Sequence, residues 1–179
     1  MVMFKKSELQ ILNYLTLVED GSGFVSEIAR NIGISKGEVS KAVKELKQNG
    51  LIRAEVYGRN TVCSADRGSP VSMKWRIAFN LFEIMPRLAG LRKNCDRIVL
   101  FGSCAQGTDT VQSDMDFFVI TRDKARVNKA VEKIRFPRSA QWVVKTPEEY
   151  IVLNSNEPVF AEEIRQGIVL WESDDISRV

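Results

Sequence analysis

The chain contains no histidine at all among its 179 residues. That absence removes every Ser/His/Asp and Cys/His hydrolase mechanism and most zinc sites. Cysteine is nearly as scarce. Cys63, Cys95 and Cys104 are three in number, unevenly spaced and without a CxxC pair, which excludes a disulfide framework and a cysteine-rich metal site. No run reaches the roughly 18 to 20 uninterrupted apolar residues of a membrane-spanning helix, and Met1 to Lys6 lacks a secretory pattern, so a cytoplasmic protein without membrane contact is expected. Low-complexity segments and internal repeats are missing too. What is present is 44% hydrophobic and 27% charged residues, enough for packed cores.

The net charge of +3 is small, but it is unevenly distributed. Residues 1–65 carry nine basic and seven acidic side chains, residues 66–94 six and two, and residues 95–179 eleven and fourteen. A turn-rich stretch from Ser64 to Pro70 marks the first change of composition, and an apolar run beginning near Arg97 marks the second. The expected layout is a small N-terminal domain (1–65), a helical connector (66–94) and a C-terminal domain (95–179).

In the first of these, Leu9, Ile11, Leu12, Leu15 and Val18 recur at helical spacing behind Ser7 to Gln10, which reads as a capping box. A second helix, Val25 to Ile32, ends at Gly33. Ser35 with Glu38 caps a third, which runs to about Asn49 and stops at Gly50. Measured from Lys36 at about 100° per residue, Val39, Ala42, Val43 and Leu46 fall within roughly 240° to 340°, whereas Lys36, Ser40, Lys41, Lys44 and Lys47 fall within roughly 0° to 140°. One helix thus has a core face and a separate lysine face. Leu51–Tyr57 and Asn60–Ser64 then read as two strands around a Gly58-Arg59 turn, with Arg59 at the tip.

This order of three helices and a basic-tipped hairpin, carried by the run from Ser26 to Ile52, resembles the winged helix-turn-helix family. The resemblance implies a DNA-binding transcription regulator. Its recognition helix begins at Lys36, lays Lys36, Ser40, Lys41 and Lys44 into the major groove of double-stranded DNA, and leaves Arg59 on a wing. The alternative is a merely solvated lysine face.

The connector, with Met73, Trp75, Ile77, Leu81, Phe82, Ile84 and Leu88, is too apolar for a free linker. A helix from about Val71, interrupted at Pro86, is expected, serving as ordinary core or as the seam of a homodimer.

Beyond it, Arg97 to Phe101 is a buried-strand pattern that ends abruptly in Gly102-Ser103. Ten residues later comes Asp114-Met115-Asp116, leading into a second apolar strand. Alternate residues of a strand share a face, so the two carboxylates are expected side by side, where an oxygen-seeking cation such as Mg2+ relieves their repulsion. A Gly-Ser turn can offer backbone N–H groups and a hydroxyl to phosphate oxygens.

The stretch Leu100 to Val119 resembles the minimal nucleotidyltransferases of the DNA polymerase beta superfamily, and the likeness extends more loosely through Glu157 to Trp171. It implies an α+β protein of two domains whose C-terminal domain is a mixed sheet with flanking helices. It also implies that Gly102 and Ser103 hold the phosphates of an NTP, and that Asp114 and Asp116 hold Mg2+ and act in catalysis, with a protein or an RNA as acceptor, as in family members that act as antitoxins to HEPN-type partners. Two departures stand out. Cys104 and Gln106 occupy positions where the family often has arginine, and Gln141 stands where active members carry a third carboxylate. Asp123 and Glu148 are nearby acids that do not have the right setting. The expectation is therefore a DNA-binding regulator that binds Mg-nucleotide with transfer weak or lost, and the alternative is an active nucleotidyltransferase.

Overall fold

The computed structural model describes residues 4–174. It divides the chain into two compact units, Met1–Arg76 with Gly107–Val111, and Ile77–Gln106 with Gln112–Val179. The connector expected at 66–94 is thus shared, its helix beginning in the first unit and ending in the second.

The N-terminal unit is built on α1 (Lys6–Leu17), α2 (Val25–Ile32) and α3 (Lys36–Gln48), followed by the hairpin β2 (Arg53–Tyr57) and β3 (Asn60–Ser64). Its core is the apolar stripe of each helix, with Ile11, Leu12, Leu15, Ile28, Val39, Ala42, Val43 and Leu46 all buried. Two local details differ from the expectation. Ser7 lies inside α1, and the cap is two residues earlier, at Lys5: the Glu8 carboxylate reaches back to accept from the Lys5 backbone N–H at 3.1 Å. The loop before α2 contains a short strand, β1 (Ser22–Phe24), which pairs antiparallel with β3 and gives a three-stranded sheet of order β1-β3-β2. Three residues are too few to show alternation, so nothing in the sequence announces it.

The residues Gly107–Val111 belong to this unit although they lie between the two motifs of the C-terminal sequence. Arg67 holds them there, donating to the carbonyls of Thr108 at 3.0 Å and Asp109 at 2.9 Å, as well as to those of Thr16 and Glu19. Asp109, fully buried, pairs with Arg76 at 3.3 Å, and Arg76 also donates to Asn13 at 2.6 Å. At Gly107 a side chain is impossible, since a Cβ would lie 2.2 Å from the Met73 carbonyl oxygen.

The C-terminal unit contains the end of α4 (Pro70–Ile84), a 3-10 turn at Arg92–Asn94, β4 (Arg97–Phe101), α5 (Gly102–Gln106), β5 (Met115–Ile120), α6 (Lys124–Val131), β6 (Ala140–Lys145), α7 (Pro147–Asn156), α8 (Pro158–Arg165) and β7 (Ile168–Glu172). The strands form one mixed sheet of order β6-β5-β4-β7, with β5 and β6 parallel and the other pairs antiparallel. Alternation along the strands sends Ile98, Leu100, Met115, Phe117 and Val119 into one core, and Val99, Phe101, Phe118 and Ile120 into another beneath α7 and α8. Both faces are covered, which is why these strands read as continuous apolar runs. The α+β architecture of two domains is the one the sequence implies, and α4 stops at Ile84, two residues short of Pro86.

Candidate functional site

On the N-terminal unit, α3 opens with the Ser35 hydroxyl accepting from the Glu38 N–H at 3.1 Å. Lys36, Ser40, Lys41 and Lys44 are all exposed on the face opposite Val39, Val43 and Leu46. The Ser40 hydroxyl donates to the Lys36 carbonyl at 2.9 Å, which leaves its oxygen as an acceptor. Lys47, the fourth lysine of that face, donates to the Ala54 carbonyl at 3.0 Å and so ties α3 to the hairpin. Arg59 is exposed in the two-residue turn between Tyr57 and Asn60. The lysines and Arg59 therefore present unneutralised charge on one helix face and one hairpin tip.

On the C-terminal unit, β4 ends where Gly102 turns the chain into α5 with φ +67°. A Cβ at that position would lie 2.7 Å from Asp116 Oδ2, so both the backbone angle and the close approach require glycine. Ser103, half-buried, follows immediately. Asp116 sits in β5 opposite Phe101 on one side and Gln141 on the other. Asp114 precedes the strand rather than lying in it, and it is fixed from β6. The Ser139 hydroxyl donates to one of its carboxylate oxygens, and the Gln141 amide Nε2 donates to the other at 2.6 Å.

The two carboxylates have opposite electrostatic settings. Hydrogen bonds from Ser139 and then Gln141 favour the charged form of Asp114 and hold it below the ordinary carboxylate range. Asp116 is raised, first by desolvation and then by the negative charges of Asp114 and Glu163. Glu163, on α8, is a residue the sequence alone does not bring to this place, because no local spacing relates it to the Asp-x-Asp triplet. Ser139 is likewise visible only once β6 is registered against β5.

The two acids considered as stand-ins for a third carboxylate are used elsewhere. Asp123 caps α6 by accepting from the Arg126 N–H at 3.0 Å. Glu148 lies in the first turn of α7, lowered by a backbone hydrogen bond and then by one from Thr146. Among the described residues, no group of three or more cysteine, aspartate or glutamate side chains is placed to hold a metal ion. The buried Cys104 thiol donates to the Asp114 carbonyl at 3.3 Å and helps seat the approach to β5.

Residues 4–66 match the family model described as sugar-specific transcriptional regulator TrmB. No curated protein matches the chain. Among solved structures, a hypothetical protein from Pyrobaculum spherical virus is similar at 17% identity and a TM-score of 0.31, over 55% of this chain and 60% of that one. Residues 87–176, half of the sequence, match the model described as polymerase beta, nucleotidyltransferase, and the chain belongs to that family.

Proposed function

We propose that the chain is a DNA-binding transcription regulator whose nucleotidyltransferase domain binds a Mg2+-nucleotide, with nucleotidyl transfer weak or lost. The observation that carries this reading is the 2.6 Å hydrogen bond from Gln141 to Asp114, at the strand position paired with Asp116. Asp114 and Asp116 would hold one Mg2+ ion, whose preference for oxygen ligands two carboxylates suit. A second ion, needed to clamp both the attacking and the leaving oxygens, lacks a carboxylate on β6. In its place an amide donates to Asp114, and an amide cannot take a proton from an attacking hydroxyl.

In this reading Asp114 and Asp116 hold the ion, and Gly102 and Ser103 meet the β- and γ-phosphates. Bound Mg2+ supplies charge neutralisation for those phosphates. Gln141 and Ser139 orient Asp114 and keep it ionised. Lys36, Ser40, Lys41 and Lys44 enter the major groove of double-stranded DNA, with lysines on phosphates and Ser40 near base edges, while Arg59 touches the flanking backbone. The loop between the two nucleotide motifs supports a regulatory role. Gly107–Val111 belong to the DNA-binding unit, so a ligand gripping Ser103 and Asp114 acts on both ends of a segment held by Arg67 and Arg76.

Calorimetric titration with Mg-ATP and the other Mg-NTPs tests the nucleotide half. Binding to the native chain, lost in the Asp114→Asn/Asp116→Asn double variant, is expected; failure of every NTP to bind contradicts it. Fluorescence anisotropy with duplex DNA, with and without the nucleotide, tests the regulatory half.

A second reading, an active enzyme transferring a nucleotidyl group to a protein or RNA, is favoured by one observation: Glu163 places a third negative charge beside Asp116, from α8 rather than β6. The homodimer reading of the connector draws on Phe82 of α4, 74% exposed, and sedimentation at micromolar concentration tests it. No described helix is long and apolar enough to cross a membrane, and a cytoplasmic site of action fits both readings.

A further inference from the structure

A second cationic surface lies on the C-terminal unit and takes no part in the site above. Arg87, Arg126, Lys129 and Lys133 converge on a concavity of about 390 Å3 whose apolar floor is Leu91, Ala130 and Ile134. No acidic side chain lines it. That lack stands out because residues 95–179 are acidic overall and cations elsewhere in that stretch pair with acids: Lys124 with Glu149, Arg165 with Glu162, Arg97 with Glu172 and Arg122 with Asp96. No described carboxylate forms an ion pair with Arg126, Lys129 or Lys133.

The charges are also ordered. Arg126, Lys129 and Lys133 follow one another at helical spacing, about one turn or 5 Å of rise apart, along and just beyond α6. Arg87 comes from a distant part of the chain and is pre-positioned. Its guanidinium lies 5.8 Å from the Phe136 ring centroid, and its Nε donates to the Arg135 carbonyl at 3.0 Å.

We infer that this groove binds single-stranded RNA, with phosphates on the four cations and an unstacked base against Leu91 and Ile134. A row of cations at one-turn intervals suits a repeating anion such as a phosphodiester chain better than a single carboxylate. The apolar floor suits a base face, and a concavity of this size accepts one flat group but not a duplex. Loops and tails with unpaired bases are the usual form in which RNA offers such a group. The inference does not depend on the Mg-nucleotide reading, since no residue is shared.

The test is anisotropy of the full chain with a short fluorescent oligouridine, against the DNA oligothymidine, a duplex DNA and polyglutamate as competitors. Reversing Arg126, Lys129 and Lys133 to glutamate should weaken RNA binding by about tenfold or more and flatten its salt dependence by about 0.7 per lost phosphate contact. Lys44→Glu on α3 should leave RNA binding within about twofold while weakening duplex DNA. The milder Lys129→Gln, on an exposed side chain, gives a smaller loss in the same direction without a charge reversal. RNA binding that is absent or unchanged in the triple variant overturns the inference, as does preferential displacement by oligothymidine, duplex DNA or polyglutamate.

Discussion

The two units assemble their candidate residues in different ways. On the N-terminal unit the residues come from one helix and one turn, all exposed, with hydrogen bonds only to near neighbours in sequence. On the C-terminal unit Gly102, Asp114, Asp116, Ser139, Gln141 and Glu163 come from two strands, two helices and two loops, and Asp114 is held by Ser139 and Gln141, residues far away in the chain. A surface that meets a polyanion needs only charge segregated on a rigid rod. A pocket that holds phosphates and a metal needs like charges forced together, and only a packed sheet with opposing hydrogen bonds can do that. The first kind tolerates change at single positions and the second does not.

The largest effect is expected where that division is crossed. Asp109 is buried with Arg76 in the N-terminal unit, although it lies in sequence between the Gly-Ser and Asp-x-Asp motifs of the C-terminal unit. Asp109→Asn removes the carboxylate charge paired with a buried guanidinium and should cost about 3–5 kcal/mol of stability in urea unfolding. A loss below about 1 kcal/mol would mean that the segment is not fixed there.

Gly102→Ala comes next. A left-handed backbone at a residue with a side chain costs about 1–3 kcal/mol, and the new Cβ also displaces Asp116. Thermal unfolding should show the cost, and Mg-nucleotide titration should show weakened binding. Equal affinity would separate Gly102 from the site.

Lys44→Glu should be milder. It leaves folding unchanged, lowers duplex-DNA affinity, and reduces the salt slope of binding by about 1 or slightly more. Arg59→Ala should act in the same direction. Affinity insensitive to both removes the recognition-helix assignment and, with it, the contrast between the two units.

The smallest effect concerns Asp116. Its proton is held more tightly in the folded protein than in the unfolded chain, so its contribution to stability is present in acid and lost as pH rises through its raised pKa. Asp116→Asn should therefore stabilise the ligand-free protein at neutral pH, by less than about 1 kcal/mol because the group is partly solvated, with no gain in acid. Melting curves across the acid range measure this. Destabilisation at neutral pH would show that the charge is compensated.

The same division governs what was legible in the sequence. The lysine face of α3 and the Gly58-Arg59 turn depend on spacings within a dozen residues, and the structure places them as read. The Gly-Ser and Asp-x-Asp motifs were visible because a turn and a strand entrance are local too, and Gln141 because β6 is an evident strand. The partners of these groups were not. Ser139 and Glu163 reach the carboxylates through strand register and helix packing, and the lodging of Gly107–Val111 in the other unit follows from Arg67, some forty residues earlier. At the N-terminus, Ser7 looked like a cap because of its type, whereas the carboxylate at Glu8 decided where the helix begins.

We propose that the family's fold is kept for binding while its transfer chemistry is weak or lost. This is tested most directly by incubating the full chain with each labelled NTP and Mg2+, together with candidate protein and RNA acceptors, and measuring covalent label. No more label is expected on any acceptor than with the Asp114→Asn/Asp116→Asn variant, alongside nucleotide binding by the native chain. Transfer by the native chain that this double variant abolishes would contradict the proposal and make the chain a working nucleotidyltransferase.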